Sequence, residues 1–237
     1  MNNTEKVLSV KGLDAYYVKN KNVLSGLDLE LEKNEAVGLI GLNGAGKTTL
    51  IKTLSGLHGE YSAESISSYG KSCAFRSENF KYLRYTVFSE DNSFQYFTFR
   101  EYISYVFAAY KTALPDVSGL VKGFHFEEYT DRLLKDLSMG NRRKVYLITA
   151  FALKPELLLL DEPVNGLDFQ STEYLYSLIS DYRKYGTVLF SSHILESITL
   201  TCDKVLVLEQ GRITRKFTGD EIDPEAVRKA LKLDDVI

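Results

Sequence analysis

The segment Gly41-Leu42-Asn43-Gly44-Ala45-Gly46-Lys47-Thr48-Thr49 constrains this chain more than any other stretch. It follows the apolar run Ala36-Val37-Gly38-Leu39-Ile40 and precedes Leu50-Ile51-Lys52-Thr53-Leu54, which reads as a helix. Strand, glycine loop, Lys-Thr and helix, in that order, is the setting of a phosphate-cradling P-loop. Glycines let backbone N–H groups turn inward around a phosphate chain, and the helix N-terminus adds a dipole that favours anions. In such a loop Gly41, Asn43, Gly44, Ala45, Gly46 and Thr49 surround the nucleotide. Lys47 reaches the β- and γ-phosphates, and the Thr48 hydroxyl is placed to ligate Mg²⁺. A plain glycine turn would explain the loop alone but not its two flanks.

A P-loop needs a sheet to sit on, and this chain can build one. It has 237 residues, 44% hydrophobic and 26% charged, enough for one large domain with a core. The net charge of −3 lacks the basic excess of a protein that coats nucleic acid, so no nucleic-acid partner is expected. Cys73 and Cys202 form no CxxC or metal-type spacing and read as two reduced, mostly buried thiols. No apolar signal segment follows Met1–Lys6, and the longest apolar run, Val145–Leu153, falls short of the roughly 20 residues of a membrane span. A soluble chain is expected, with any spans supplied by another polypeptide.

Val7–Tyr17 alternates loosely as a first strand, and Val23–Glu32 alternates more cleanly, with Leu27, Leu29 and Leu31 on one face. Lys33-Asn34 then suggests a hairpin-like turn. Of the adjacent Tyr16 and Tyr17, either could stack on a base, Tyr17 ahead of Tyr16, or both could be strand aromatics against the core. Ser62–Tyr69 reads as a short β excursion, and Leu83–Phe88 as a buried strand ending in the polar turn Ser89–Ser93. From Thr98 the period becomes helical, with Phe99, Tyr102, Ile103, Val106, Phe107 and Tyr110 on one face and Phe97, Tyr105, Ala108 and Ala109 as a second strip. Pro115 and Gly119 break the pattern, and Phe126–Leu137 reads as another helix. Residues 95–140 thus form a helical insertion whose aromatic surface is either core or a docking face. Arg142–Phe151 is a helix with a basic first turn, read as a solvated face. Strand 157–160, helix 171–184, strand 187–190, helix 194–201 and strand 204–208 follow, then an edge strand at 212–217 and a terminal helix over 224–233. This βαβ rhythm implies a parallel sheet covered on both faces.

Two strand ends carry the remaining chemistry. Leu157–Leu160 runs into Asp161-Glu162-Pro163. Beside a P-loop, Asp161 can hold Mg²⁺ through its water shell, and Glu162 can polarise an attacking water as general base. Taken alone, Asp-Glu-Pro would be a strand-end turn. Strand 187–190 ends at Ser191-Ser192-His193, which places His193 on the ligand side of a parallel sheet, whereas His58 and His125 read as surface residues. Ser138 opens a helix. It reads as an N-cap, and the same geometry binds phosphate, with a second copy's nucleotide as a possible target.

With these motifs in order, the chain resembles the ATP-binding subunits of ABC transporters over essentially its whole length. The aromatic Tyr17, the Walker A segment Gly41–Thr49, the signature Leu137–Asn141, the Walker B run to Asp161 with Glu162, the D-loop Asn165-Gly166-Leu167-Asp168 and the switch His193 carry the resemblance. It implies an α/β fold: a P-loop NTPase core with a mainly parallel sheet, an antiparallel β subdomain on the N-terminal side and an inserted α-helical subdomain. The expected organisation is one domain over 1–237, with 1–94 and 141–220 as core, 95–140 helical and 221–237 a helical tail. The resemblance further implies ATP and Mg²⁺ as ligands, with Lys47, Glu162 and His193 catalytic. It implies a dimer in which each ATP lies between one Walker A loop and the partner's Ser138 and Gly140, with Asp168 nearby. Transmembrane subunits would hold the chain on the inner face of the cell membrane.

Two motifs depart from the family pattern. The family usually has a glutamine where Ser89 stands, so Ser89 or the adjacent Glu90 takes over its contact with Mg²⁺. Met139 replaces the usual first signature glycine, and Asn141 the usual glutamine. Such relaxed signatures resemble exporter-type ATPases with separately encoded membrane subunits. The alternatives are a soluble ABC-type ATPase acting on nucleic acid or ribosomes, and a regulatory binder that holds ATP without turnover. A single cassette without heptads argues against the first, and the joint presence of Asp161, Glu162 and His193 against the second.

Overall fold

Alternation builds the first sheet. In the computed structural model, which describes residues 5–231, β1 (Lys6–Val18) and β2 (Lys21–Glu32) pair antiparallel, with Leu8 opposite Leu31 and Val10 opposite Leu29. Leu27, Leu29 and Leu31 are buried, as their alternation with acidic residues requires. The chain turns at Lys33-Asn34, but not into a hairpin. β3 (Ala36–Ile40) leaves the first sheet and lies inside the second. All five of its residues are buried, a requirement that a half-exposed antiparallel sheet cannot meet.

After β3 come α1 (Lys47–Leu54), β4 (Tyr61–Ser62), β5 (Ser65–Ser68) and β6 (Lys71–Ser72), which complete a sheet of order β2-β1-β5-β6 with β4 on β1. The short α2 (Glu78–Leu83) has no counterpart in the sequence reading, and β7 (Arg84–Val87) follows it directly. α3 (Phe99–Ala109) starts with a capping box between Thr98 and Glu101. Its Phe99, Tyr102, Ile103, Val106 and Phe107 are buried, while Tyr105, Ala108 and Ala109 are exposed.

The helix expected over Phe126–Leu137 is not there. A short α4 (Ser118–Gly123) precedes that stretch, which forms two single 3₁₀ turns at Glu127–Tyr129 and Leu134–Asp136. Its backbone is used elsewhere: Leu134 and Lys135 donate to the carbonyls of Phe97 and Gln95 at 2.8 and 2.9 Å. Phe124 and Phe126, two residues apart, are both fully buried, a spacing a helix does not favour.

The second half alternates regularly. α5 (Met139–Leu153), β8 (Leu157–Leu160), α6 (Phe169–Tyr182), β9 (Thr187–Ser192), α7 (Leu195–Thr199), β10 (Lys204–Glu209), β11 (Arg212–Thr218) and α8 (Pro224–Ala230) follow one another. The expected end of the last helix, at 232–233, lies outside the described residues. The second sheet has the order β11-β10-β3-β9-β8-β7. All its pairs are parallel except β10 with β11. Leu157, Leu159 and Leu189 pack towards α1 and the first sheet; Leu158, Leu160, Val188 and Phe190 pack towards the other helices. No helix among the described residues is long and apolar enough to cross a membrane.

This order fixes the site. β3, β9, β8 and β7 are neighbours, so their carboxyl ends bring residues 41–49, 191–193, 161–162 and 88–90 to one rim. Ligands of open α/β sheets bind at such a rim.

Candidate functional site

The P-loop wraps the start of α1. Gly46 sits at φ 109°, a conformation an L side chain resists, and turns the chain into the helix. Lys47 Nζ donates to Gly41 O at 2.8 Å and lies 3.4 Å from Glu162 Oε1, almost fully buried. The Thr48 hydroxyl donates to Asp161 Oδ1 at 3.2 Å. A cleft of about 730 Å³ opens over this loop, walled by Asn43–Thr49, Ser89, Glu90, Glu162 and His193.

The β8 and β9 ends are tied by one hydroxyl. Ser191 Oγ accepts the Glu162 N–H at 2.9 Å and donates to Asp161 Oδ1 at 2.8 Å. Glu162 is held at φ 47°, strained for a non-glycine residue. Its Oε2 lies 2.7 Å from His193 Nδ1, and the His193 ring faces solvent. Asp161 is fully buried, and its Oδ2 has no hydrogen-bond partner. A buried carboxylate oxygen without a donor, beside a threonine hydroxyl, is a donor set for a hard divalent cation. Among the described residues no cluster of three or more His, Cys, Asp or Glu could hold a metal. A hard cation held jointly by Thr48, Asp161 and phosphate oxygens needs no such cluster. Glu90 is exposed on the cleft wall. Ser191 escapes a sequence reading that takes Ser191-Ser192 only as a lead-in to His193; the one available signal is a hydroxyl ending an apolar buried strand.

Tyr17 is exposed, its hydroxyl 3.4 Å from Thr49 Oγ1 and its ring centroid 4.6 Å from that of His58. Tyr16 is half-buried. His58 is not a simple surface residue. It is half-buried, with Nε2 3.0 Å from Tyr16 O, because the chain after α1 returns across the end of β1. His125 is exposed, as expected. Cys73 and Cys202 are free thiols, each only partly buried.

Ser138 caps α5, accepting the Asn141 N–H at 3.2 Å. Gly140 lies flat against the D-loop: a Cβ there would stand 2.1 Å from Gly166 O. Neither Ser138 nor Gly140 lines the cleft, whereas Met139, Asn165 and Gly166 do. Asp168 also stands outside the cleft wall. It caps α6 through the Ser171 N–H at 2.8 Å and pairs with Lys144 at 2.7 Å. Burial pushes the Asp168 carboxyl up, but Lys144 and the two Ser171 donors outweigh it and hold it well below the usual carboxylate range.

The basic turn Arg142-Arg143-Lys144 is not a solvated face. Arg143 and Lys144 are each 4% exposed. α5 is covered on all sides from its second turn, so both charges are enclosed. Lys144 is neutralised by Asp168, and Arg143 donates to main-chain carbonyls.

A sequence model described as ABC transporter matches residues 24–165. The chain is 35% identical over 225 residues to the putative ABC transporter ATP-binding protein AlbC of Bacillus subtilis (strain 168), covering 92% of this chain and 94% of that one. The chain belongs to the ABC transporter family. The ABC-type transporter ATP-binding protein EcsA of the same organism is 33% identical, over 97% of this chain and 94% of its own. Relatives of both transport directions occur. The Nod factor export ATP-binding protein I of Burkholderia orbicola (strain AU 1054) is 33% identical over 81% of this chain and 65% of its own. The spermidine/putrescine import ATP-binding protein PotA of Borrelia garinii subsp. bavariensis (strain ATCC BAA-2496 / DSM 23469 / PBi) is 30% identical over 94% and 66%. Among solved structures, one titled as the ATP binding subunit of an ABC transporter superposes with a TM-score of 0.81 at 29% identity, covering 96% of this chain and 94% of that one. ABC ATP-binding subunits bind and hydrolyse ATP, form dimers and work with transmembrane subunits; this chain is an ATPase of that family.

Proposed function

We propose that this chain is the ATP-hydrolysing subunit of an ABC exporter, held on the cytoplasmic face of the cell membrane by separately encoded transmembrane subunits. The observation that carries hydrolysis is the Glu162 carboxylate, set between Lys47 at 3.4 Å and His193 at 2.7 Å on the wall of the cleft. There Glu162 acts as general base for the attacking water, and His193 orients it and contacts the γ-phosphate. Lys47, freed from Gly41 O, binds the β- and γ-phosphates, the P-loop amides surround the phosphate chain and Tyr17 stacks on the base. Thr48 and Asp161 hold Mg²⁺, which neutralises charge on the phosphates when bound. Ser89 or Glu90 completes that shell in place of the missing glutamine. Ser138, Gly140 and Asp168 serve the nucleotide of a second ATP-binding subunit, identical or paralogous. Residues 95–140 form the helical subdomain on which the membrane subunits dock.

Export is supported by the relaxed signature Met139-Gly140-Asn141 and by the similarity to a Nod factor export subunit. The direction is tested by purifying the transmembrane partner with this chain, reconstituting both in vesicles with the ATPase facing outward, and adding ATP outside. ATP-dependent accumulation of cargo in the lumen is the expected result; ATP-dependent loss from preloaded vesicles would make the complex an importer.

A further inference from the structure

The cleft wall at Ser89-Glu90 is one of the two parts of the site that depart from the family pattern, and side chains of α5 support it. Residues 88–93 belong to neither helix nor strand, so their main-chain carbonyls find no partners in a ladder. Side chains from the first turns of α5 take that place. Arg143 Nη1 donates to Phe88 O at 2.9 Å and to Asp161 O at 3.3 Å, and Nη2 donates to Ser89 O. Arg142 donates to Asn92 Oδ1 at 3.1 Å, and the Tyr146 hydroxyl to Ser93 O at 3.2 Å. Of these three side chains, Arg143 also reaches the strand end bearing Asp161 and Glu162, through Asp161 O. Burial draws it below its ordinary value and the Asp161 carboxylate opposes that. A planar fork of five donors suits several fixed acceptors at once, which an ammonium does not.

We propose that Arg143 is a positioning residue of the ATPase: it locks the Ser89-Glu90 wall to the Asp161–Glu162 strand end and ties both to the start of α5. The wall that meets the nucleotide's terminal phosphate and the two carboxylates are then set at one distance by one side chain. Because α5 begins at Ser138, the same strut carries any shift of that wall to the signature. The proposal rests on the cleft being the ATP site, and the experiment separates the two.

Three substitutions, Arg143→Ala, Arg143→Lys and Lys47→Ala, are made in the full chain, with folding checked by circular dichroism. Affinity for a fluorescent ATP analogue, steady-state kcat and amide exchange over residues 88–93 are measured for each. Lys47→Ala is the control for the site: if it binds the analogue as wild type does, the ATP-site reading fails. With binding lost in that control, Arg143→Ala is expected to keep the affinity within about two-fold. Its kcat falls about 10- to 100-fold, the scale of a misplacement on the order of 1 Å. Exchange over 88–93 speeds up. Arg143→Lys, with donors for some but not all of the carbonyls, recovers part of both. If affinity and kcat fall together, or if kcat falls with unchanged exchange over 88–93, the positioning role is overturned. Lysine no better than alanine, in variants that both fold, overturns it as well.

Discussion

One hydroxyl decides which oxygen of Asp161 is left without a donor. Ser191 accepts the Glu162 N–H, so its own proton goes to Asp161 Oδ1, which the Thr48 hydroxyl also reaches. Oδ2 is thereby the buried oxygen without a donor. Removing the hydroxyl frees Asp161 to rotate and leaves the buried Glu162 N–H unpaired. Ser191→Ala is expected to destabilise the chain by about 1–3 kcal/mol, the cost of an unsatisfied buried group, as read in urea unfolding. The Mg²⁺ concentration for half-maximal ATPase is expected to rise several-fold. Ser191→Thr, which retains the hydroxyl, should restore both; an unchanged Mg²⁺ requirement in Ser191→Ala would remove Ser191 from this role. Asp161, Glu162 and His193 were legible as candidates because each follows an apolar strand at a motif spacing. Ser191 and Arg143 were not. Their partners are main-chain atoms and side chains 18 to 55 residues away, and only the strand order makes them neighbours.

At the scale of elements, α5 and α6 are joined by a pair that the linear sequence divides. Lys144 is enclosed in α5, and its counter-ion Asp168 is the N-cap of α6. Asp168→Ala removes a cap, worth about 1 kcal/mol, and leaves an enclosed ammonium unpaired. The Asp168 side chain is 53% exposed, so water takes over part of its role, and the total loss should stay between about 1 and 4 kcal/mol. Asp168→Asn keeps a capping oxygen and should lose less. The folded Asp168 titrates below its ordinary 3.8, so its contribution is complete above that value and disappears as pH falls through the lower folded one. Unfolding curves of wild type and Asp168→Asn should therefore differ at pH 6 and converge as pH falls well below 3.8. Curves that stay apart at the lowest pH would show that the charge is not what matters. The helix expected over 126–137 failed for a related reason: its apolar residues serve the core from an irregular chain paired to residues 95–98, a long-range arrangement no local period encodes.

For the whole molecule, both layers were legible, since period-two alternation marks the first sheet and continuous apolar strands mark the second. The crossing at Lys33-Asn34 was not, because a turn residue at φ 62° serves a hairpin and a change of sheet equally well. The resulting sheet order puts the P-loop, Asp161, Glu162 and His193 on one rim, while Ser138 and Gly140 stay outside that cleft. Gly140 is pressed on Gly166 and Ser138 is exposed at the start of α5, so of the signature only Met139 reaches the cleft of its own P-loop. The proposed function gives Ser138 and Gly140 to the nucleotide of a second copy, and two variants test that. Glu162→Gln, which keeps the shape of the proposed base and removes its charge, should then bind ATP without turnover and run as a dimer in size-exclusion chromatography with ATP, but as a monomer with ADP. Adding Ser138→Arg to that variant sets a bulky cation where the partner's nucleotide would lie. It should abolish the dimer while each chain still binds ATP with an affinity within about three-fold, since Ser138 does not line its own cleft. A double variant that still dimerises would mean that the two copies meet through another face, and one that loses ATP affinity in the monomer would place Ser138 in its own site.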